Sequence, residues 1–462
     1  MLINKCRLSS GQEIPLSFSQ KRIWFLQNLY NDNVMYNVGT CYRINGLLDM
    51  EALRITLHTL TTRHEPLRSR LQIAQDGYPF QIMEKEPQIN IEHTDLRSTP
   101  RDDIYGLAEQ IIQEAVVRPF NLCDEKMLRV VSVRVSESKS MLIFVSHHII
   151  TDYFSMRLFN AEFTSVYTSK IMGHKLSLPP LKFQYSDFAK EQELLLTKEN
   201  IANRHKYWCN FFAGYSNLEL ATVAPSQSLK NNGLPSYGSA CQLIPSGTIS
   251  ECKMIAESQN CTLFTVVLTA IALLVSYLYR NLKIMLCIAN ANRQIPGAEQ
   301  LFGCFFTNII LSLNIRPDRK LSELLHDVRE EFLNARKHQD MPFEMFAEDL
   351  ALECTHQRKP PYRVYISYRK SAVIEISLPN AHLEPMEAST GRNTHEDIVF
   401  NIWEKMSEGG ICLDIGWLWR TDLFDNKTIK SASSMLETLF GEIRRNIHSN
   451  VKSLHDSLAG LN

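Results

Sequence analysis

The chain has 462 residues, 44% hydrophobic and 21% charged, with a formal net charge of −1 at pH 7. That balance excludes a polyanion-binding groove or a polybasic membrane patch as the main recognition device, and the length exceeds what one hydrophobic core serves, so two domains are expected. Eleven cysteines without a CxxC pair argue for buried thiols in a reducing compartment rather than a disulfide framework or a zinc ribbon. The opening residues MLINKCRLSS hold no apolar core of signal-peptide length, and a cytoplasmic protein is expected.

Residues 16–29 space Ile23, Leu26 and then Tyr30 for one face of an amphipathic helix. A strand is expected over residues 36–44. A helix over 49–63 follows, opened by Asp49 and ended ahead of Pro66, because a proline disfavours helical backbone in the residue before it. Arg63, His64, Glu65 and Arg68 read as its salt-bridged end. A helix over 101–117 leads to a hairpin whose second strand begins Met-Leu-Ile-Phe-Val at 141–145. An unbroken apolar run suits a strand covered on both faces. Successive strand side chains point opposite ways, so His147 and His148 diverge, one towards a cleft and one into packing. Asp152 precedes a helix over 153–169, with Phe154, Leu158 and Val166 among its apolar positions, and stands where an N-cap accepts from the first free amides. Divergent histidines without HExxH argue against a metal site, and an isolated pair reads most simply as two core histidines.

In the second half, the Pro-containing stretch 176–181 reads as a linker between lobes, and the polar stretch 226–239 as an exposed loop. Residues 263–279 fall short of the roughly 20 that a bilayer needs and carry two Thr and a Ser, so a core helix is expected there. Strands over 284–289 and 362–368 and a last helix over 426–449 complete the reading. No internal repeat or low-complexity tract is visible.

These residues together resemble the condensation domains of nonribosomal peptide synthetases, relatives of chloramphenicol acetyltransferase. His147, His148 and Asp152 match the HHxxxDG signature, with Tyr153 in the place of the glycine. Ser17, Gln20, Arg22, Trp24 and Phe25 match the opening motif, and Arg63, His64, Glu65, Leu67 and Arg68 the second. Pro119 to Leu122 resemble a Pro-Phe-Asp-Leu segment, and Tyr185, Asp187, Phe188 and Ala189 a Tyr-x-Asp-Phe-Ala motif. Arg293, Gly303, Phe305 and Asn308 correspond to a later motif, although Thr307-Asn308 reverses the usual order. Residues 338–344 match His-Gln-Asp-x-Pro-Phe-Glu, a structural crossover in the family; residues 358–363 hold only part of the last motif. Residues 397–400 and 417–424 resemble the closing strands.

The resemblance implies an α/β (α+β) fold of two chloramphenicol acetyltransferase-like lobes, residues 1–178 and 179–462, forming a V-shaped pseudo-dimer with a central tunnel. It implies an acyltransferase, and because no adenylation or carrier segment is expected in the chain, a free-standing one. A donor acyl or aminoacyl thioester arrives on the phosphopantetheine of a carrier protein, an amine acceptor arrives free or on a second carrier, and an amide forms. His148 would take the proton that the amine sheds and His147 would shape the loop. Asp152 would pair with Arg293, joining the lobes or ordering the loop, through a guanidinium fork able to hold a carboxylate bidentately. Tyr153, beside the site, and Asn308 are the other site-supporting residues. No cofactor of its own, no metal, no nucleic acid, no membrane and a monomeric state are expected. An ester-forming enzyme with a hydroxyl acceptor and a noncatalytic binding protein of the same fold remain alternatives. The run Ala-Asn-Ala-Asn-Arg at 289–293 argues against an epimerisation domain, and the two histidines argue against a cyclisation domain.

Overall fold

A computed structural model describes residues 13–30, 34–75, 77–87, 89–100, 103–213, 236–346, 362–370, 376–386, 394 and 396–459. The chain divides into two compact units: Met1–Ile201, Ala291–Phe306 and Val373–Arg392 form the first, and Ala202–Asn290, Thr307–Ala372 and Asn393–Asn462 the second. This corrects the single cut expected after residue 178. The stretch 176–181, expected as a linker between lobes, lies wholly in the first unit, where the Pro179 carbonyl accepts a hydrogen bond from the Arg63 guanidinium at 2.7 Å.

The first unit runs through β1 (Ile14–Pro15), α1 (Phe18–Tyr30), β2 (Asn37–Gly46), α2 (Met50–Arg63), β3 (Ser69–Ile73), β4 (Pro79–Met83), β5 (Ile91–Asp95), α3 (Ile104–Val117), β6 (Leu128–Ser136), β7 (Lys139–His147), α4 (Tyr153–Met172) and α5 (Tyr185–Leu194). Its main sheet has the order Ser377–Leu378, Ala381–Met386, β2, β7, β6, β5, and a smaller sheet has the order β1, β4, β3. In the main sheet β5 runs parallel to β6, and the other neighbours are antiparallel.

The alternation of β7 feeds two cores. Phe144 meets the α4 rings of Phe159 and Phe163 edge-on at 5.2 and 5.4 Å, and Ser146 Oγ lies 3.9 Å from Met156 Sδ of the same helix. Met141, Ile143, Val145 and His147 point to the opposite face, where α3 packs. Covering both faces is what the unbroken apolar run 141–145 requires. On α4 the inward stripe is Met156, Phe159, Phe163 and Val166, spaced by three and four. Phe154, expected among the apolar positions, is instead 43% exposed, because it lies off that stripe. Asp49 caps α2 as expected, its Oδ1 accepting from Glu51 N–H and Ala52 N–H at 2.9 and 2.8 Å.

The chain crosses into the second unit within α6 (Lys198–Phe212). There follow β8 (Tyr237–Ile244), α7 (Ser246–Ser258), α8 (Leu263–Leu278), β9 (Lys283–Asn290), β10 (Thr307–Asn314), α9 (Leu321–Arg336), β11 (Val364–Lys370), β12 (Ile398–Ser407), β13 (Gly410–Arg420), α10 (Asn426–Arg445) and α11 (Val451–Ala459). The sheet order is β10, β9, β11, β12, β13, β8, with β11 parallel to both its neighbours. Helix α8 is buried on nearly every side, as a core helix must be, and among the described residues no single helix is long and apolar enough to cross a membrane. The last helix expected over 426–449 ends at Arg445, and a second, α11, follows.

Candidate active site around His147, His148 and Asp152

At the end of β7 the chain leaves the sheet by a tight turn. His147 N–H donates to Met127 O at 3.0 Å and His148 N–H to Tyr36 O at 2.7 Å, and Ile150 N–H then closes on His147 O at 3.0 Å. His147 is fully buried against the rings of Tyr36 and Phe120, with centroids 6.0 and 6.1 Å away. Its Nδ1 accepts from Ile149 N–H at 3.2 Å, and its Nε2 has no hydrogen-bond partner among the described residues. Burial, with a smaller push from His148, drives its pKa down to about 3, so His147 is neutral at physiological pH.

His148 is only partly buried. Its Nδ1 lies 2.6 Å from Thr151 O. A carbonyl can only accept, so Nδ1 carries the proton and Nε2 of the neutral ring carries the lone pair. The imidazole rests on Phe306 at 4.4 Å between centroids. Burial lowers its pKa most; the backbone contacts and Asp152 push the other way, and Arg22 adds to the lowering.

Asp152 is both an N-cap and a salt-bridge partner. Its Oδ1 accepts from Ser155 N–H at 2.7 Å, capping α4, and from Arg293 at 2.8 Å; its Oδ2 accepts from Phe305 N–H at 3.1 Å. The pair is nearly dry, with 6% of the Arg293 side chain and 3% of the Asp152 side chain exposed. Arg293 lies in the 291–306 segment of the first unit, so this ion pair orders the loop within one unit and is not the link between lobes. The grip is also not bidentate: one terminal nitrogen takes the carboxylate, while the other donates to Ala298 O and Leu301 O at 2.6 and 2.7 Å. The guanidinium lies 4.2 Å from the centre of the Phe305 ring.

Ser155, which sequence reasoning missed, completes the knot. Its Oγ lies 2.7 Å from Asp152 Oδ1 and from Gly303 O, and it accepts from Gly303 N–H and Arg293 at 3.0 and 2.8 Å. Tyr185 lies behind it, with Oη bonded to Cys304 O and Ser17 Oγ at 2.5 and 2.7 Å; burial holds this phenol well above its usual range. Gln20 of the opening motif donates to Ile149 O at 3.1 Å, tying α1 to the histidine turn. Ser155 stands three residues after the cap, a hydroxyl position the cap could have suggested; Phe306 and Tyr185 carried no local signal for proximity to the turn.

The remaining expected residues fall elsewhere. Tyr153 is the first residue of α4, partly exposed, with Phe154 5.6 Å away and the Arg157 guanidinium 6.0 Å from its ring. Its backbone has a negative φ, so a side chain is tolerated where the signature has glycine. Asn308 lies in β10 of the second unit, donating to Tyr362 Oη at 3.3 Å and accepting from Tyr365 Oη at 3.5 Å. His64 and Arg63 both bind Glu162 of α4, at 2.7 and 3.0 Å, while Arg68 donates to the Thr61 and Thr62 carbonyls, so the ion pairs expected within this helix end reach a different helix instead. His338 stacks on Tyr207 at 3.6 Å, and Asp340 pairs with Arg204 at 2.8 Å in the second unit. Residues 358–361 and 226–235 lie outside the described residues. Among the described residues no group of three or more His, Cys, Asp or Glu is placed to hold a metal ion.

The family model described as "Condensation domain" matches residues 10–456. The isonitrile lipopeptide synthase of Mycobacterium tuberculosis is 30% identical over 427 residues, covering 90% of this chain and 17% of that protein. The malpibaldin synthetase of Mortierella alpina is 26% identical over 452 residues, covering 97% of this chain and 8% of that protein. The chain thus spans less than a fifth of either relative. Among solved structures, the complex of the X-domain and OxyB from teicoplanin biosynthesis is similar at a TM-score of 0.82 and 21% identity, covering 97% of both chains.

Proposed function

Because the chain belongs to the condensation-domain family of nonribosomal peptide synthesis, we propose that it joins a carrier-bound acyl or aminoacyl thioester to an amine, forming an amide. The observation that carries this reading is the tautomer of His148: with Nδ1–H donated to Thr151 O at 2.6 Å, the Nε2 lone pair is left to receive a proton. Thioesters are activated acyl donors, so holding amine and carbonyl together supplies much of the acceleration. As the amine nitrogen bonds to the carbonyl carbon, its proton passes to Nε2; when the carbon–sulfur bond breaks, the imidazolium returns that proton to the departing thiolate. The products are an amide and a free phosphopantetheine thiol. Asp152, Arg293 and Ser155 act by fixing the loop that holds His148. The nine described cysteines are all free thiols, which supports a reducing, cytoplasmic setting.

The test is an assay with acyl groups loaded on a carrier protein and a panel of amines and alcohols, comparing wild type with His148→Ala. Product from wild type and loss in the variant supports the reading, and amide against ester product identifies the acceptor class. No product from wild type across the panel overturns it in favour of a binding protein.

A further inference from the structure

We propose that Arg22 is a positioning residue for His148, acting through the ring of Phe306. Its catalytic consequence rests on the acyl-transfer reading above; its structural content does not. Arg22 belongs to α1 and is 3% exposed. Its guanidinium lies 4.4 Å from the centre of the Phe306 ring, and the same ring lies 4.4 Å from the His148 imidazole, tilted by 37°. Arg22 also reaches the Phe306 carbonyl at 3.5 Å. Phe306 is therefore held by its backbone and its ring on one residue, and it presents that ring to the imidazole. A guanidinium suits this task because its planar, weakly hydrated cation stacks on an aromatic ring while its N–H groups remain free to bond in the ring plane.

The arrangement has an electrostatic side. Among the described residues, the charged and titratable groups that bear on His148 are Asp152 from the start of α4, Arg22 from α1 and His147 from β7; Arg293, from the 291–306 segment, is paired with Asp152. Asp152 favours the imidazolium and Arg22 disfavours it. Arg22 thus offsets the signature carboxylate and helps to keep Nε2 unprotonated, while Phe306 fixes where that nitrogen points.

Two measurements test this on the full chain. The first follows the ring signals of isotope-labelled histidine by NMR through a pH titration, with His148 assigned by its loss in His148→Ala. In Arg22→Gln the His148 titration is expected to move to higher pH, and in Arg22→Lys, which keeps the charge, to stay near wild type. An unmoved His148 titration in a folded Arg22→Gln protein overturns the proposal. The second is turnover with carrier-bound donor: Phe306→Leu, which keeps Arg22 but removes the ring, is expected to lower kcat about tenfold with little change in KM. Should Arg22→Gln not fold, Phe306→Leu decides the matter, and wild-type kcat in it overturns the proposal. The titration needs no product, so absence of acyl transfer would sink the functional reading while leaving this inference to its own outcome.

Discussion

Gly303 lies flat against the ring of Tyr185: a β-carbon at position 303 would come within 2.1 Å of Tyr185 Cδ2 and 2.4 Å of Cε2. The ring cannot swing away without breaking the 2.5 Å bond from its hydroxyl to Cys304 O. Gly303 also exposes both backbone groups to Ser155 Oγ. Gly303→Ala is therefore expected to cost about 2 to 3 kcal/mol of stability through overpacking, read as a lower urea midpoint with unchanged slope. Tyr185→Leu in the same background should recover part of that loss by making room.

The Asp152–Arg293 pair predicts an asymmetry. Asp152→Asn keeps an oxygen to cap α4 but leaves a buried guanidinium without its anion, and a loss of about 3 kcal/mol is expected. Arg293→Met with Asp152→Asn leaves no orphaned charge, so the double variant should lose less than the sum of the single variants. Chemical denaturation of the four proteins measures the coupling; simple additivity would contradict the geometry.

His147 links acidification to unfolding. Its folded-state pKa, about 3, lies below the ordinary 6.5, so the unfolded chain binds more protons between those values. The contribution of neutral His147 to stability is complete above pH 6.5 and declines as pH falls towards 3, by an upper bound of a few kcal/mol. Equilibrium unfolding across pH 4 to 7 should show this decline, and His147→Gln should flatten it.

On the acyl-transfer reading, His148 sets the rate. Its pKa is lowered from 6.5 by burial, so the acid limb of kcat/KM for amide formation should lie below pH 6.5, with activity lost as Nε2 is protonated. A limb above that value would show that a different group controls the reaction.

The Glu162 clamp separates structure from chemistry. His64 and Arg63 both bind its carboxylate, and Glu162→Ala leaves the buried His64 without that acceptor and the part-buried Arg63 with only the Pro179 carbonyl. A loss of about 3 kcal/mol is expected, with an unshifted acid limb in whatever protein remains folded.

Much of the site was legible locally. Met141 to Val145 announced a strand covered on both faces; the expected divergence of the two histidines matches a buried His147 and a partly exposed His148, although the strand ends at His147 and it is the turn after it that carries His148. Asp152 read as an N-cap because capping needs only a short acceptor ahead of an apolar helical stripe. The domain cut at residue 178 failed because no local pattern marks a chain that leaves one core and later returns to it. Residues 291–306 and Val373–Arg392 rejoin the first unit through contacts that composition and turn signals do not encode.

Much of where the helices and strands lie follows from residue order, since periodicity, caps and prolines act over a few residues and need no partner, although the helix expected over 426–449 ends at Arg445, Phe154 turns outward and a strand begins at Tyr237 inside the stretch expected as a loop. What those elements meet follows only from the packed fold. Arg293 reaches Asp152 across 141 positions, Ser155 finds Gly303 across 148, and Ser17 finds Tyr185 across 168. Such pairs form only once the first unit has packed and brought distant backbone together, because a buried charge or hydroxyl settles on whichever partner the packing delivers.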